Sequence, residues 1–490
     1  MKITTNKYLP FYIFTISVII ILVAPFLLQD GMFMDGQQYA CVAQNLANGR
    51  GSFWLPIVND FWMRESSTYF LEHPPLFYFL ESLSFRVFGN SMYSERLFCL
   101  LMVFMNAYVI HLIWMEIHKK NKEQKQLSWI PILLWIIIPI CFWSFQNNMI
   151  EIVLSLFTLL SILYSLKVLL KKEKAFIYIG ISGIFILAAF LTKGLPGLFP
   201  IATIPLFYIV FKGITFKEIA IYSMTIIIVP LVIYFLITTI SKEANQSMNF
   251  YFNERLLNRI NTTGTTNMRF SIILDLFSEL LLPIFFTITA ILYLRKKNLI
   301  SLLEKDKQFS LFFMLLGFCG SLPLLITMVQ KNFYFVASLP CFSIALSFIF
   351  YNSINQYITL YLNKQNQTKK IKIISYVIFV MAILISILQI GKYSRDEAKI
   401  KDIKYLGGYL GTEKIVSVDS DAYLDWSFQF YIYRKYAINL DPRNRHRTYI
   451  ITKNDTSQRL LKDYIKIDLP LKQFKLYKQK NFNLTFLKNR

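Results

Sequence analysis

The chain has 490 residues, 55% of them apolar and only 17% charged, with a mean hydropathy of +0.45, a composition that excludes a soluble globular protein. The net charge of +23 does not point to nucleic acid, because most Lys and Arg residues flank apolar runs, the pattern of positive-inside anchoring. The five cysteines (41, 99, 141, 319 and 341) lie in or beside apolar segments without CxxC spacing, and are expected as small core residues with no structural disulfide.

Apolar runs of about 20 residues recur, each long enough as a helix to cross roughly 30 Å of hydrocarbon. Phe11 to Leu28 is too long for a signal peptide and lacks a small-residue cleavage site, so it reads as a retained first helix. Spans are expected at 8–28, 95–117, 128–143, 148–170, 175–192, 195–211, 218–240, 271–294, 308–328, 333–351 and 372–391, about eleven in all within a range of ten to thirteen. With Met1–Lys7 inside, the basic segments HKKNKEQK, KKEK, FKGITFK, RKKNLISLLEKDK and NKQNQTKKIK all fall on that same side.

The first outer loop, 29–94, is long enough to be functional. It opens with Asp30 and Asp35 just past the first apolar run. Tyr39, Val42, Ala43 and Leu46 then recur at helical spacing, as in an amphipathic helix lying on a membrane surface. Glu72 and His73 precede Pro74-Pro75, whose rings stiffen the backbone, and Arg86 and Arg96 follow. From Lys392 the composition turns polar, with strand-like KIVSVDS and RTYIITKND around a helix-like AYLDWSFQFYIYRKY. The expected division is a transmembrane domain, 1–391, and a small extracytoplasmic α/β domain, 392–490.

Asp30, Asp35, Glu72, His73, Glu151, Lys193, Arg255, Arg259 and Lys331 all fall at outer loops or outer helix ends. Acidic and basic groups gathered at one face suit a polar cavity for an anionic substrate; snorkelling cations and helix-end carboxylates are the plainer alternative. A transporter would place ionisable groups near mid-membrane, often within a two-fold repeat, whereas these helix interiors are nearly charge-free. That contrast favours an enzyme over a lipid flippase or transporter.

Five segments carry a resemblance: MDGQQYACVAQNLANG after the first helix, YFLEHPPLFYFLESLSFRVFG, NNMIEIVLSLFTLLSI, AAFLTKGLPGLFPI and KNFYFVASLPCFSIAL, in that order over residues 8–350. Together they resemble the GT-C superfamily of polyprenyl-phosphate-dependent glycosyltransferases, on the branch of the lipid A aminoarabinose transferases and dolichyl-phosphate-mannose–protein mannosyltransferases. Relatives often have Lys at the position of His73 and usually Asp at that of Glu151. The resemblance implies an all-α polytopic fold with a C-terminal extracytoplasmic domain. It also implies transfer of a sugar from a polyprenyl-phosphate donor to a lipid A-like, glycolipid or other cell-envelope acceptor, or to protein Ser/Thr, with no nucleotide cofactor.

On that reading Asp35 is the general base towards the acceptor. His73, Lys193, Lys331 and Tyr334 are expected to bind the donor phosphate, and Tyr39, Glu72, Glu151 and Arg255 other parts of the substrates. Arg259 and Arg269 could meet acceptor anions or be plain surface charge. His111 and His118 fall on the second helix and His446 in the tail, so a carboxylate-held Mg2+ or Mn2+, with Glu72 as ligand, is easier to support than a histidine-rich zinc site. Richness in Lys, Ile and Asn fits a bacterial, low-GC origin; with that origin the resemblance implies undecaprenyl phosphate as the carrier, and a bacterial inner (cytoplasmic) membrane protein with its site on the periplasmic side.

Overall fold

The structure, a computed structural model, describes residues 7–62, 69–171, 174–257, 268–300, 302–361, 365–443, 447–453 and 461–480; Arg259 and His446 lie outside the described residues. Its α-helices of eight residues or more are α1 (Leu9–Leu28), α2 (Met34–Ala47), α3 (Leu76–Phe88), α4 (Ser94–Ile117), α5 (Trp129–Ile136), α6 (Pro139–Gln146), α7 (Glu151–Lys171), α8 (Ala175–Lys193), α9 (Thr203–Phe211), α10 (Phe216–Ile240), α11 (Lys242–Phe250), α12 (Ser271–Lys296), α13 (Glu304–Ser321), α14 (Leu339–Tyr361), α15 (Gln365–Ile387), α16 (Glu397–Leu410) and α17 (Trp426–Tyr436). The chain forms two compact units. One comprises Met1–Leu28, Leu71–Phe77 and Arg96–Ile390; the other comprises Gln29–Phe70, Tyr78–Glu95 and Gly391–Arg490.

Eight helices (α1, α4, α7, α8, α10, α12, α13 with its extension to Ile326, and α15) are long and apolar enough to cross a membrane. The pair Lys122–Ile136 and Pro139–Gln146, bent by 79°, is either a broken ninth span or a re-entrant loop. The bend has a local cause: Pro139 cannot donate to the helical ladder, and the residue before it, Ile138, is extended at φ −66°, ψ 123°. The expected span 195–211 is broken instead, and the helix expected over 333–351 begins later, as α14. Pro196 and Pro200 hold Leu195–Ala202 in a 3-10 helix ahead of α9, and a 3-10 turn, Asn332–Phe335, precedes α14. By length and apolarity the described residues therefore give eight or nine spans rather than about eleven. α7 and α8 pack through small residues, with the Ser182 hydroxyl 2.8 Å from that of Ser161 and 2.9 Å from that of Ser165, allowing close backbone approach. α10, α12 and α15 leave Phe235, Leu281, Phe285 and Val377 exposed, as lipid-facing helices do.

In the second unit α2 forms where the spacing predicts, but its burial goes beyond the apolar stripe. Gln37, Gln38, Gln44 and Asn45 are buried along with Tyr39, Val42 and Leu46. The polar side is met by protein: Tyr433 donates to Asn45 Oδ1 (2.8 Å), and Asn45 Nδ2 donates to the carbonyls of Ile57 (2.9 Å) and Val58 (2.8 Å). Arg434 donates to Glu95 (2.7 Å) and to the carbonyls of Asn90 (2.9 Å) and Ser91 (2.6 Å). The tail folds as a five-stranded sheet of β1 (Ile415–Val418), β2 (Asn439–Asp441), β3 (Tyr449–Thr452), β4 (Tyr464–Ile467) and β5 (Lys475–Gln479), in the order β2-β1-β3-β5-β4. β1 runs parallel to β2 and β3, while β5 is antiparallel to β3 and β4. Its core joins Ile403 and Leu406 of α16 to Phe428 of α17, which stacks on Phe474 at 3.9 Å.

Asp425 fixes the start of α17. It accepts from the Phe428 N–H (3.2 Å) and from Lys399 (2.6 Å) and Lys453 (2.7 Å). Burial pushes its carboxyl up, but the two ammonium groups outweigh that and hold its pKa down to about 2, against an ordinary 3.8. A depressed carboxyl gives stability that is fully present above its unfolded pKa and lost as pH falls through the folded one. Asp425→Asn keeps the cap and loses both ion pairs. It is expected to cost about 1–2 kcal/mol at pH 7, discounted for solvent screening, and only a small part of that at pH 2, where the folded carboxyl is about half protonated, as thermal unfolding at the two pH values would read.

Candidate active site

Glu151 is the first residue of α7 and Lys193 the last of α8, and the antiparallel pairing of these helices brings them together across 42 positions. Lys193 Nζ donates to Glu151 Oε1; the carboxylate is fully buried and the lysine 6% exposed. Each charge also complements its helix dipole, an acid at an N-terminus and a cation at a C-terminus. The Lys193 ammonium lies 4.4 Å from the ring centre of Tyr334 and 5.6 Å from that of Phe333. Tyr334 sits on the 3-10 turn Asn332–Phe335. Glu279 of α12 holds that turn, accepting from Asn332 Nδ2 (3.1 Å) and from the Ile140 N–H (2.9 Å).

A second ion pair joins Arg255, on the π-helical turn Tyr251–Leu257, to Glu72 at 2.5 Å, with both side chains largely buried. His73 follows, and Pro74-Pro75 restrict the backbone behind it. Glu72, His73, Lys193, Tyr251, Arg255 and Tyr334 line one cavity of about 420 Å³. The remaining wall is almost wholly apolar, with Leu195, Leu198, Phe199, Pro323, Leu324 and Ile326. The cavity thus combines cationic donors and hydroxyls with a hydrocarbon surface, which suits a phosphate carrying a long apolar chain.

Gly194 turns the chain out of α8 at φ +76°, where a Cβ would run into the Tyr251 ring and hydroxyl. Gly194→Ala is therefore expected to displace Tyr251 from the cavity and to cost about 1–2 kcal/mol of stability from the left-handed backbone alone. Thermal unfolding of the purified variant would read the loss.

Of the residues expected at the site, Glu72, His73, Lys193, Arg255 and Tyr334 come together around this cavity, and Glu151 reaches it through Lys193. Lys331 does not line it and is exposed at the head of the 3-10 turn. Arg269 is exposed, with its carbonyl accepting from Gln330 (2.9 Å). Asp35 and Tyr39 belong to the second unit: Asp35 is half-buried in the first turn of α2, and Tyr39 is buried 5.7 Å from the ring of Tyr78. Asp30 is held by Lys435 (2.6 Å) and Lys404 (3.6 Å) and accepts from the Gly31 N–H (2.9 Å), a structural pin. Tyr251 and Glu279 were not foreseen. Tyr251 had no readable signal, but a carboxylate inside an apolar span, as at Glu279, was one.

A divalent cation finds little to bind here. Glu72 is engaged by Arg255 and Glu151 by Lys193, and among the described residues no three His, Cys, Asp or Glu side chains are grouped to hold a metal. Among the described residues, those around Glu72 therefore form no ready donor set for Mg2+ or Mn2+.

Residues 72–240 match the family described as dolichyl-phosphate-mannose-protein mannosyltransferase. No curated protein matches the sequence. Among solved structures, ArnT from Cupriavidus metallidurans bound to undecaprenyl phosphate matches with a TM-score of 0.66 at 11% identity, over 95% of this chain and 97% of its own. Its apo state matches with a TM-score of 0.63 at the same identity and coverage. The oligosaccharyltransferase AglB from Archaeoglobus fulgidus, in complex with an inhibitory peptide and a dolichol-phosphate, covers 92% of this chain and 70% of its own at 13% identity, with a TM-score of 0.49. The chain therefore shares the fold of the ArnT structures, with eight or nine spans among its described residues that are long and apolar enough to cross a membrane.

Proposed function

We propose that the chain transfers a sugar from a polyprenyl-phosphate donor to a lipid A-like, glycolipid or other cell-envelope acceptor at the extracytoplasmic face of a bacterial inner membrane. The observation that carries this reading is the cavity itself, with Lys193, Arg255, His73 and Tyr334 set against an apolar wall. The undecaprenyl phosphate bound to the ArnT of like fold supports it. In this mechanism the donor phosphate lies against Lys193 and Arg255, drawing partly on cations that the free protein pairs with Glu151 and Glu72. Asp35 takes the proton of the acceptor hydroxyl as its oxygen attacks the anomeric carbon. The bond from that carbon to the phosphate oxygen breaks, and polyprenyl phosphate leaves with the electron pair, its new charge met by the same cations. A divalent cation has no step here; loss of activity on chelation, restored by Mg2+ or Mn2+, would bring one in.

The purified chain in lipid nanodiscs, supplied with labelled polyprenyl-phosphate sugars, tests the reading. Donor cleavage that depends on an acceptor is expected, and Arg255→Gln should raise the donor KM about tenfold, as loss of one charged contact does. Failure to cleave any donor with lipid, glycan or peptide acceptors would overturn the proposal. A protein acceptor is the second reading, favoured by the protein mannosyltransferase match over 72–240, and a labelled peptide product would establish it.

A further inference from the structure

The bundle carries a second cavity that sugar transfer leaves unused. It is formed where α4 ends at Ile117, α7 ends at Lys171 and α13 begins at Glu304, and it encloses about 280 Å³. Glu151 of the candidate active site and Lys171 of this cavity are the first and last of the 21 residues of α7, so the two sites lie about 30 Å apart, at opposite membrane faces.

Its charges are unequal. Glu116 is paired with Lys171 at 2.5 Å, and Asp306 accepts from the Tyr351 hydroxyl (2.8 Å) and from Asn352 (2.5 Å). Three further ammonium groups, Lys119, Lys120 and Lys305, stand exposed around the opening. Lysines at the end of a span are ordinary anchors; the floor of this cavity is not. There His118 is 6% exposed, its ring 4.5 Å from that of Trp114, 5.0 Å from Tyr351 and 5.5 Å from Phe348. Its Nε2 has no hydrogen-bond partner among the described residues. Burial lowers the pKa of His118 to about 4, outweighing a hydrogen bond to the Gln124 side chain, so the ring is neutral near pH 7; with its one N–H given to Gln124, Nε2 is an acceptor. Leu170, Leu303 and Phe309 supply an apolar wall.

We propose that this cavity binds the phosphate headgroup of an anionic membrane lipid, the lysines meeting its charge and His118 Nε2 accepting from a hydroxyl of the headgroup at the base. Three span ends at the opening put the lipid surface within reach, which favours a headgroup over free phosphate as the source. The test uses the full chain, purified and delipidated in detergent, with thermal unfolding followed as short-chain phosphatidylglycerol, phosphatidylcholine or inorganic phosphate is added. Phosphatidylglycerol should raise the melting temperature in a saturable way and phosphatidylcholine should not. In Lys120→Gln/Lys305→Gln, which alters only exposed side chains, the phosphatidylglycerol needed for half the shift should rise about tenfold. His118→Phe, which keeps the ring stacking, should weaken binding as well. A shift from inorganic phosphate that competes with the lipid and is equally sensitive to the lysine variant would support the site with a soluble phosphate as its ligand. Equal shifts from the two lipids, no shift at all, or a shift unchanged in the lysine variant would overturn it.

Discussion

Asp35→Asn is expected to reduce sugar transfer about 10²–10⁴-fold, the usual contribution of a positioned general base, while leaving the fold and donor binding intact. The substitution is close to isosteric. Asp35 stands in the first turn of α2, where its charge also complements the helix dipole, so the lost charge should cost at most about 1 kcal/mol of stability. Asp35 does not line the cavity that holds Lys193 and Arg255, so the affinity for polyprenyl phosphate should be unchanged. A large loss of kcat at constant donor KM and constant melting temperature is therefore the expected signature, with partial recovery in Asp35→Glu. In a strain lacking the native gene, the same variant at equal protein level should lose the sugar mass that the wild-type gene restores to surface glycans or lipid A. Full transfer by the Asn variant would remove Asp35 from the mechanism.

Much of the cavity lining lies in segments the sequence singles out. Glu72 and His73 abut a double proline, Lys193 abuts a glycine at positive φ, and Tyr334 lies in a short turn between apolar runs. Pairings were not legible. Glu151 with Lys193, and Glu72 with Arg255, follow from helix packing that places distant residues side by side, and no spacing rule reports that. Lys331 shares a motif with Tyr334, yet the 3-10 turn leaves it exposed. Periodicity predicted α2 from its apolar stripe, but it carries no sign that Gln37 and Asn45 on the other side would be covered by protein. In the tail, β1 and β3 are β-branched and readable, whereas β2 has three residues and β4 and β5 mix lysine with apolar residues without a regular alternation.

Lys193→Met should be the most damaging change to stability at the site, because it leaves the fully buried Glu151 carboxylate without its ammonium. Breaking a buried ion pair on one side costs about 3–5 kcal/mol, whereas replacing both partners by neutral groups of similar volume is often close to neutral. The double variant Glu151→Gln/Lys193→Met should accordingly recover most of the lost stability, to within about 1 kcal/mol of wild type. Donor binding should not recover with it. If Lys193 meets the donor phosphate, the stable double variant still lacks that cation, and its donor KM should remain about tenfold or more above wild type, the cost of one charged hydrogen bond. Melting temperature and donor KM of the two variants thus separate the two roles of one ammonium group. Recovery of both would make Lys193 a structural counter-ion alone and leave Arg255 and His73 to hold the phosphate. Recovery of stability without recovery of KM would establish Lys193 as the phosphate contact, with Glu151 as the group that holds it ready while the cavity is empty.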